Sequence, residues 1–194
     1  AAFDKYTGAL VGGFRADTDG IVRTMAVAGN TLYLGGDFNS VNGVSRHRLA
    51  AVDLDTGAVL PWQADANSSI YSMAVGGSRL FVGGPFNLVR GVSRNRVAAV
   101  ALSDGTLDTA FDPNANNTVN AVGASADGSH VYIGGGYSTV GGTPTTYLTA
   151  LDPGNGAVVG PTFDASGVAL DIEVSADGTR LVAGLGDYAN QGAV

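Results

Sequence analysis

The 194-residue sequence contains no cysteine, which excludes a disulfide framework, a thiolate metal site and a cysteine nucleophile. It has ten Lys and Arg against seventeen Asp and Glu, and the formal net charge of −7 argues against a nucleic-acid partner. No apolar run approaches the roughly 18–20 residues of a membrane-spanning helix, so membrane insertion is not expected. The length is sufficient for one domain with its own core.

Strong helix formers are also scarce among the charged residues. Glu173 is the one Glu and Lys5 the one Lys, and the remaining charged residues are Asp and Arg. Asp favours turns and helix caps, and the thirty Gly residues add further turn-forming capacity. Hydrophobic residues still make up 45% of the chain, which is enough to build a core. This composition predicts an all-β protein.

One apolar segment ending in a glycine pair and an aromatic residue recurs along the chain. The copies are Leu32–Phe38, Leu80–Phe86 and Val131–Tyr137, with a degenerate copy at Leu181–Tyr188. Their first glycines lie at positions 35, 83, 134 and 184, so the repeat length is 48–51 residues. Four short strands, A to D, fit in each unit, and strand D is predicted to be a weak outer strand. Four-stranded units of this length predict the blades of a β-propeller.

The chain holds about four blade-lengths. Three blades are predicted to be complete, and a strand C–D pair and a strand A–B pair remain as partial blades at the two ends. The chain is then either a segment of a longer propeller, whose remainder is a partner, or a four-bladed ring in which the first pair completes the last blade. The boundaries are 1–18 for the first partial blade, 22–66, 70–115 and 119–165 for the complete blades, and 168–194 for the last partial blade.

The stretch from Leu32 to Gly57, LYLGGDFNSVNGVSRHRLAAVDLDTG, resembles the delta-60-type propeller repeats of secreted and surface bacterial proteins. It is similar, more loosely, to kelch-like and YVTN-like propellers. The resemblance covers nearly the whole chain. It implies an extracellular or cell-surface location and a binding or scaffold role without a fixed catalytic motif.

The long polar B–C loops and the D–A connections are expected on one face of the propeller, with the A–B and C–D turns on the other. Long loops on a rigid scaffold are where binding residues concentrate. Paired Arg side chains match carboxylates and sulfates, although they could equally bridge to protein groups. The aromatic after each glycine pair either fills the space between blades or stacks on a ligand, and Trp62 has the same two alternatives. The predicted ligand-binding residues are Asp37, Asn39, Asn42, Arg46, Asn87, Arg94 and Tyr137.

The D–A connections are rich in Asp and Asn, whose oxygen atoms suit a hard cation. Asp17, Asp19 and Asp65 are therefore predicted ligands for Ca²⁺, and no other cofactor is predicted. The alternative interpretation is that these residues form turns and caps.

Three functions follow from these features. The first is a non-enzymatic extracellular binding module that presents its polar loop face to a glycan or protein partner. The second is an architectural spacer within a larger secreted or surface protein. The third is a glycan hydrolase or lyase, which needs two convergent carboxylates, or a carboxylate and a His, in one pocket.

Overall fold

A computed structural model describes residues 1–161, 163 and 165–186. The described residues are all-β, as predicted, and no helix among them is long and apolar enough to cross a membrane. The strands are β1 (Val22–Ala28), β2 (Thr31–Gly36), β3 (Ser40–Val41), β4 (Val44–Ser45), β5 (Leu49–Asp53), β6 (Ser72–Gly76), β7 (Arg79–Gly83), β8 (Leu88–Val89), β9 (Val92–Ser93), β10 (Val97–Ala101), β11 (Val119–Ala124), β12 (Val131–Gly135), β13 (Thr139–Val140), β14 (Thr143–Pro144), β15 (Tyr147–Leu151), β16 (Val158–Val159), β17 (Val168–Val174) and β18 (Leu181–Gly186).

Each predicted blade is an antiparallel sheet in which strand B lies between strands A and C. The sheets are β1-β2-β5 for blade 1, β6-β7-β10 for blade 2 and β11-β12-β15-β16 for blade 3. Strand D is shorter than predicted. It is a single bridge at Val59 in blade 1 and at Leu107 in blade 2, and only blade 3 has a two-residue strand. The chain leaves the outer edge early because it crosses to the next blade, where Gln63 N donates to Asp104 O.

The innermost strands of consecutive blades pack on one another. Strand β1 contacts β6, β6 contacts β11, and β11 contacts β17. Residues of all four strands, among them Ala26, Val75, Val122 and Ile172, line one central cavity of about 240 Å³. The A strands therefore surround a common axis.

The cores lie between the blades. Tyr33 and Leu49 of blade 1 pack with Trp62 against Val82 and Val100 of blade 2. The aromatic residue after the glycine pair is buried in all three blades, as Phe38, Phe86 and Tyr137. Core packing is therefore confirmed for the three: Phe86 and Tyr137 lie in clusters that join two blades, whereas Phe38 packs with residues of blade 1 and of the connection before it. The fourth, Tyr188, lies outside the described residues.

The B–C loops contain an ordered feature that the sequence analysis treated only as a polar loop. Each loop folds into a small hairpin, formed by β3–β4, β8–β9 and β13–β14. Both residues of each two-residue turn have positive φ, for example 49° at Asn42 and 77° at Gly43. This is the backbone of a type I′ turn, for which Asn-Gly is the preferred sequence. The signal was therefore present in Val41-Asn42-Gly43-Val44.

Each end of the described chain forms one strand pair. Residues 1–10 make a C–D hairpin closed by a bridge between Phe3 and Leu10. Its turn repeats that of blade 1, because Asp4 Oδ1 accepts Thr7 N just as Asp53 Oδ1 accepts Thr56 N. At the other end, β17 and β18 form an A–B pair, and positions 187–194 of the predicted last unit lie outside the described residues.

Candidate functional site

The D–A connections run beside the hairpin of the following blade and are fastened to it by one repeated contact. In each blade, a side-chain oxygen at the same position accepts hydrogen bonds from two successive backbone N–H groups at the start of the hairpin. In blade 1 these bonds measure 2.7 and 2.9 Å. The anchors and their donors are Asp19 with Asn39 and Ser40, Asn67 with Asn87 and Leu88, and Asn116 with Ser138 and Thr139.

Asn42, a predicted ligand-binding residue, fastens the tip of the first hairpin. Its Oδ1 accepts the N–H of Asp17 at 2.8 Å, and its Nδ2 donates to Arg15 O at 2.8 Å and to Gly57 O at 3.1 Å. Gly57 belongs to a C–D turn. The tip of the first hairpin therefore contacts the C–D turn of its own blade, which the sequence analysis expected on the opposite face.

The first arginine of each pair, Arg46 of Arg46/Arg48 and Arg94 of Arg94/Arg96, is held by carbonyl oxygens of its own blade. Arg94 is only 6% exposed, and its guanidinium donates to Ser93 O at 2.7 Å and to Thr109 O at 2.9 Å. Arg46 makes the equivalent contacts, to Ser45 O and Leu60 O, both at 2.8 Å. These bonds connect each hairpin to the outer segment of the same blade. They support the bridging interpretation of Arg46 and Arg94 rather than the anion clamp.

Asp37 is paired with a cation of its own blade. Both of its carboxylate oxygens accept from Arg23 Nε, at 3.0 and 2.9 Å, and a second guanidinium nitrogen lies 2.6 Å from Oδ2. The Arg23 guanidinium lowers the pKa of Asp37. Arg23 also lies over the ring of Tyr71 in blade 2, at 5.1 Å from the centroid. Asp37 therefore belongs to a contact between the first two blades.

Tyr137 and Asn87 likewise make contacts within the protein. Tyr137 is buried and its hydroxyl donates to Ile133 O at 2.7 Å, and burial raises its pKa. Asn87 is exposed, and its Oδ1 accepts a hydrogen bond from Asn67 Nδ2. Tyr137 is thus a core residue in this structure, whereas Asn87 lies on the loop surface.

The three predicted calcium ligands are separated. Asp17 pairs with Arg15 at 2.6 Å, Asp19 holds the first hairpin, and Asp65 accepts His47 N at 2.9 Å. The N–H of Asn39 is the main cause of the lowered pKa of Asp19. Among the described residues, no group of three His, Asp or Glu side chains converges on a position for a metal ion. These contacts favour the turn-and-cap interpretation, and binding of Ca²⁺ stays a prediction.

A pocket of about 350 Å³ lies in the seam between the first and second hairpins. It brings together predicted residues from two different sets, Asn39 and Asp65, and adds three polar residues that the sequence analysis did not select, His47, Arg48 and Asn67. The His47 Nδ1 atom lies 3.5 Å from Asp65 Oδ2, and half of the His47 side chain is exposed. The lining residues are Asn39, His47, Arg48, Asp65, Ala66, Asn67, Leu88 and Gly91.

Solved structures identify the architecture. The chain superimposes on the computationally designed Ika4 protein with a TM-score of 0.60 and 12% identity, over 87% of this chain and 88% of that one. It also matches hydrazine synthase from Kuenenia stuttgartiensis (TM-score 0.60, 18% identity, 97% and 47% coverage) and the WD40 repeats of RRP9 (0.56, 10%, 82% and 44%). The chain spans less than half the length of the last two. No family model and no curated protein matches the chain.

The blades, their common axis and these superpositions define the class: the chain is a β-propeller repeat protein. At 10–18% identity the superpositions show the fold alone. The narrower resemblance to delta-60-type repeats stays a prediction.

Proposed function

We propose that this β-propeller is a non-enzymatic binding module that takes a glycan or protein partner at the pocket between its first two hairpins. The observation that carries the proposal is the convergence of the polar side chains of Asn39, His47, Asp65 and Asn67 in one open pocket. Its volume falls within the range of small-ligand sites, roughly 300–1,000 Å³. The resemblance of the Leu32–Gly57 stretch to secreted and surface repeats supports a location outside the cell or on its surface.

The chemistry of the pocket favours a ligand rich in hydroxyl groups. An Asn amide both donates and accepts hydrogen bonds, and a carboxylate accepts them. A neutral imidazole donates a hydrogen bond from one ring nitrogen and accepts one at the other. Asp65 Oδ2 accepts a 2.8 Å hydrogen bond from Gln63 Nε2 and lies 3.5 Å from His47 Nδ1, and 29% of the Asp65 side chain is exposed. A sugar ring presents donors and acceptors of this kind on several sides, so a glycan is the ligand to test first.

The pocket lacks the pair of carboxyl groups that glycan hydrolysis by the usual mechanism needs, since Asp65 is the one carboxylate among the residues that line it. It does bring a carboxylate and a His together, Asp65 and His47, which is the other arrangement that a glycan hydrolase or lyase can use. Glycan cleavage is therefore the second candidate function of this pocket.

The proposal is tested by probing a glycan array with the labelled chain and with a double variant, Asn39→Ala with His47→Ala. Neither side chain makes a hydrogen bond that holds the fold, so the variant is expected to melt like the wild type while its glycan signal falls at least tenfold. Thr143→Ala, at an exposed position on the third hairpin, is the matched control and keeps the signal.

Two results contradict the proposal. Glycan binding that survives the double variant places the ligand elsewhere on the protein. Absence of binding to every glycan on the array removes the glycan partner and favours the architectural spacer, in which the loop surface has no ligand of its own.

A further inference from the structure

The second arginine of the first pair, Arg48, lines the pocket between the first two hairpins. Its Nη1 atom donates to the carbonyl oxygens of Asp37 and Phe38, just before the first hairpin. Its Nε and Nη2 atoms form no hydrogen bond with any residue that the structure describes. The buried guanidinium atoms without a partner in that part of the chain are Nε of Arg46 and Nε of Arg94. The unpartnered nitrogen atoms of the half-buried Arg48 therefore reach the solvent.

The positive charge of Arg48 is also left without a carboxylate. No ion pair of the described residues includes it. The Asp37 carboxylate is paired with Arg23, which is the main cause of its lowered pKa, whereas Arg48 is the smallest contributor. In the pocket itself, both oxygens of Asp65 accept hydrogen bonds from protein N–H groups. The charge of Arg48 is therefore available to a group from outside the protein.

The repeat shows that the fold does not require an arginine at this position. Arg48, Arg96 and Tyr147 are equivalent residues where strand C begins, and all three have a left-handed backbone, with φ of 69°, 69° and 63°. Arg96 repeats the contact of Arg48, since its Nη1 atom donates to Pro85 O. Tyr147 keeps the same backbone conformation in blade 3 without a guanidinium. The unpaired N–H groups of Arg48 are thus not explained by the backbone that they accompany.

We propose that the sugar bound between the first two hairpins carries an anionic group, a carboxylate or a sulfate, which pairs with Arg48. This inference rests on the proposed function, because it names the class of glycan that the same pocket takes. The N–H of Nε and one N–H of Nη2 point the same way from one edge of a guanidinium. That edge matches two oxygens of a carboxylate or a sulfate.

The remaining walls of the pocket suit the rest of such a sugar. Asn39 and Asn67 offer amide groups to its hydroxyl groups, and His47 offers a half-exposed imidazole. Leu88, which is 38% exposed, provides an apolar contact for the C–H groups of the ring. Arg48 is the one cation among the lining residues that is charged irrespective of the protonation of His47. An acidic sugar therefore uses every kind of group that the pocket contains.

Three glycosides that differ only at carbon 6 test the proposal: methyl glucoside, methyl glucuronoside and methyl glucoside 6-sulfate. Each is titrated into the isotope-labelled chain, and the backbone amide NMR signals of His47 and Asn67 report binding at the pocket. The two anionic glycosides are expected to bind roughly tenfold more tightly than the neutral one, because hydrogen bonds to charged groups are the stronger ones. Added salt should reduce this preference, because it screens an ion pair that is open to solvent.

Two variants at equivalent positions separate recognition from folding. Arg48→Gln is expected to bind all three glycosides with the affinity of the wild type for methyl glucoside, since the amide groups and His47 remain. Arg96→Gln is the matched control. It removes the same type of contact, from Nη1 to a carbonyl oxygen, at the same φ one blade later, and it should keep the preference for the anionic glycosides.

The outcomes distinguish this inference from the proposed function. Equal affinity of the wild type for the three glycosides overturns the anionic class and leaves the glycan pocket in place. A preference that survives Arg48→Gln overturns the role of Arg48. Absence of any shift at His47 and Asn67 with every glycoside overturns both proposals. A preference for one of the two anions that is lost in Arg48→Gln supports the inference and identifies the group that is recognised.

Discussion

The indole nitrogen of Trp62 donates a 2.9 Å hydrogen bond to the carbonyl oxygen of Ala101, across the seam between blades 1 and 2. The Trp62 ring also meets Tyr33 edge-on, with 5.3 Å between the ring centroids, and the Tyr33 hydroxyl donates to Leu102 O at 2.8 Å. Two aromatic side chains of one blade therefore bind the end of strand C of the next. Trp62 holds the seam together and does not offer a sugar-stacking surface.

Replacing Trp62 tests this seam directly. Trp62→Ala removes a buried indole and is expected to lower the free energy of unfolding by about 3–5 kcal/mol. Trp62→Phe keeps most of the packing and loses one hydrogen bond, an effect of about 1 kcal/mol. Urea unfolding followed by circular dichroism measures both values. A loss for Trp62→Phe as large as that for Trp62→Ala would contradict the assignment of the stability to packing.

The side chain that anchors each hairpin is an Asp in blade 1 and an Asn in blade 2, so the two residue types can be compared at one position of the repeat. Asn67→Ala deletes the oxygen that accepts the N–H groups of Asn87 and Leu88, and a loss of about 1–2 kcal/mol is expected by analogy with capping residues. Asn67→Asp should lose less stability than Asn67→Ala, because it keeps the acceptor oxygen that Asp19 provides in blade 1 and loses only the hydrogen bond from Asn67 Nδ2 to Asn87 Oδ1. Thermal melting of the two variants checks the ranking, and an equal loss in both would refute the role of the acceptor oxygen.

The glycine pairs are required by the close approach of neighbouring blades. A Cβ on Gly83 would lie 2.7 Å from both Val119 Cγ1 and Val122 Cγ2, two branched side chains of a packed strand. Gly83→Ala is therefore expected to destabilise the protein by about 1–3 kcal/mol through overpacking. Gly12→Ala, where no atom lies within 4 Å of the added Cβ, is the control. Chemical denaturation with an unchanged midpoint for Gly83→Ala would argue that the seam is loosely packed.

The turn at Ser125–Ser129 predicts one component of the acid response. Asp127 Oδ1 accepts the Ser125 hydroxyl at 2.6 Å, then the N–H and the hydroxyl of Ser129, and these bonds lower its pKa to about 2. A carboxyl group with a lowered pKa stabilises the folded state above its ordinary pKa near 4. That contribution is lost as the pH falls from about 4 toward 2.

A carboxyl-detected NMR titration measures the pKa of Asp127. Ser125→Ala removes the first of these donors and is expected to move the Asp127 pKa upward, toward its ordinary value. Asp127→Asn should remove the corresponding part of the stability change between pH 4 and pH 2. An Asp127 pKa that does not move in Ser125→Ala would show that the hydroxyl is not the main cause of the shift.

The sequence could not show which polar side chains of the candidate site are free to bind a ligand. An Asp or Asn in a polar connection has the same chemistry whether its oxygen is free for a ligand or occupied by a backbone N–H. The Asp19 carboxylate accepts hydrogen bonds from N–H groups twenty and twenty-one residues away. The Arg94 guanidinium donates to a carbonyl oxygen fifteen residues away. The pocket pairs His47 with Asp65, which are eighteen residues apart and meet only because the connection lies beside the next hairpin.

The sequence by itself determined the strand-rich composition, the repeat of 48–51 residues, the order of strands in a blade and the buried aromatics at Phe38 and Phe86. These are local properties that period, turn chemistry and residue size express within one repeat. Only the tertiary structure decided which polar atoms are hydrogen-bonded within the fold and where two hairpins leave a pocket between them. Those outcomes depend on the packing of one blade against the next, and neighbouring blades supply partners that no single repeat contains.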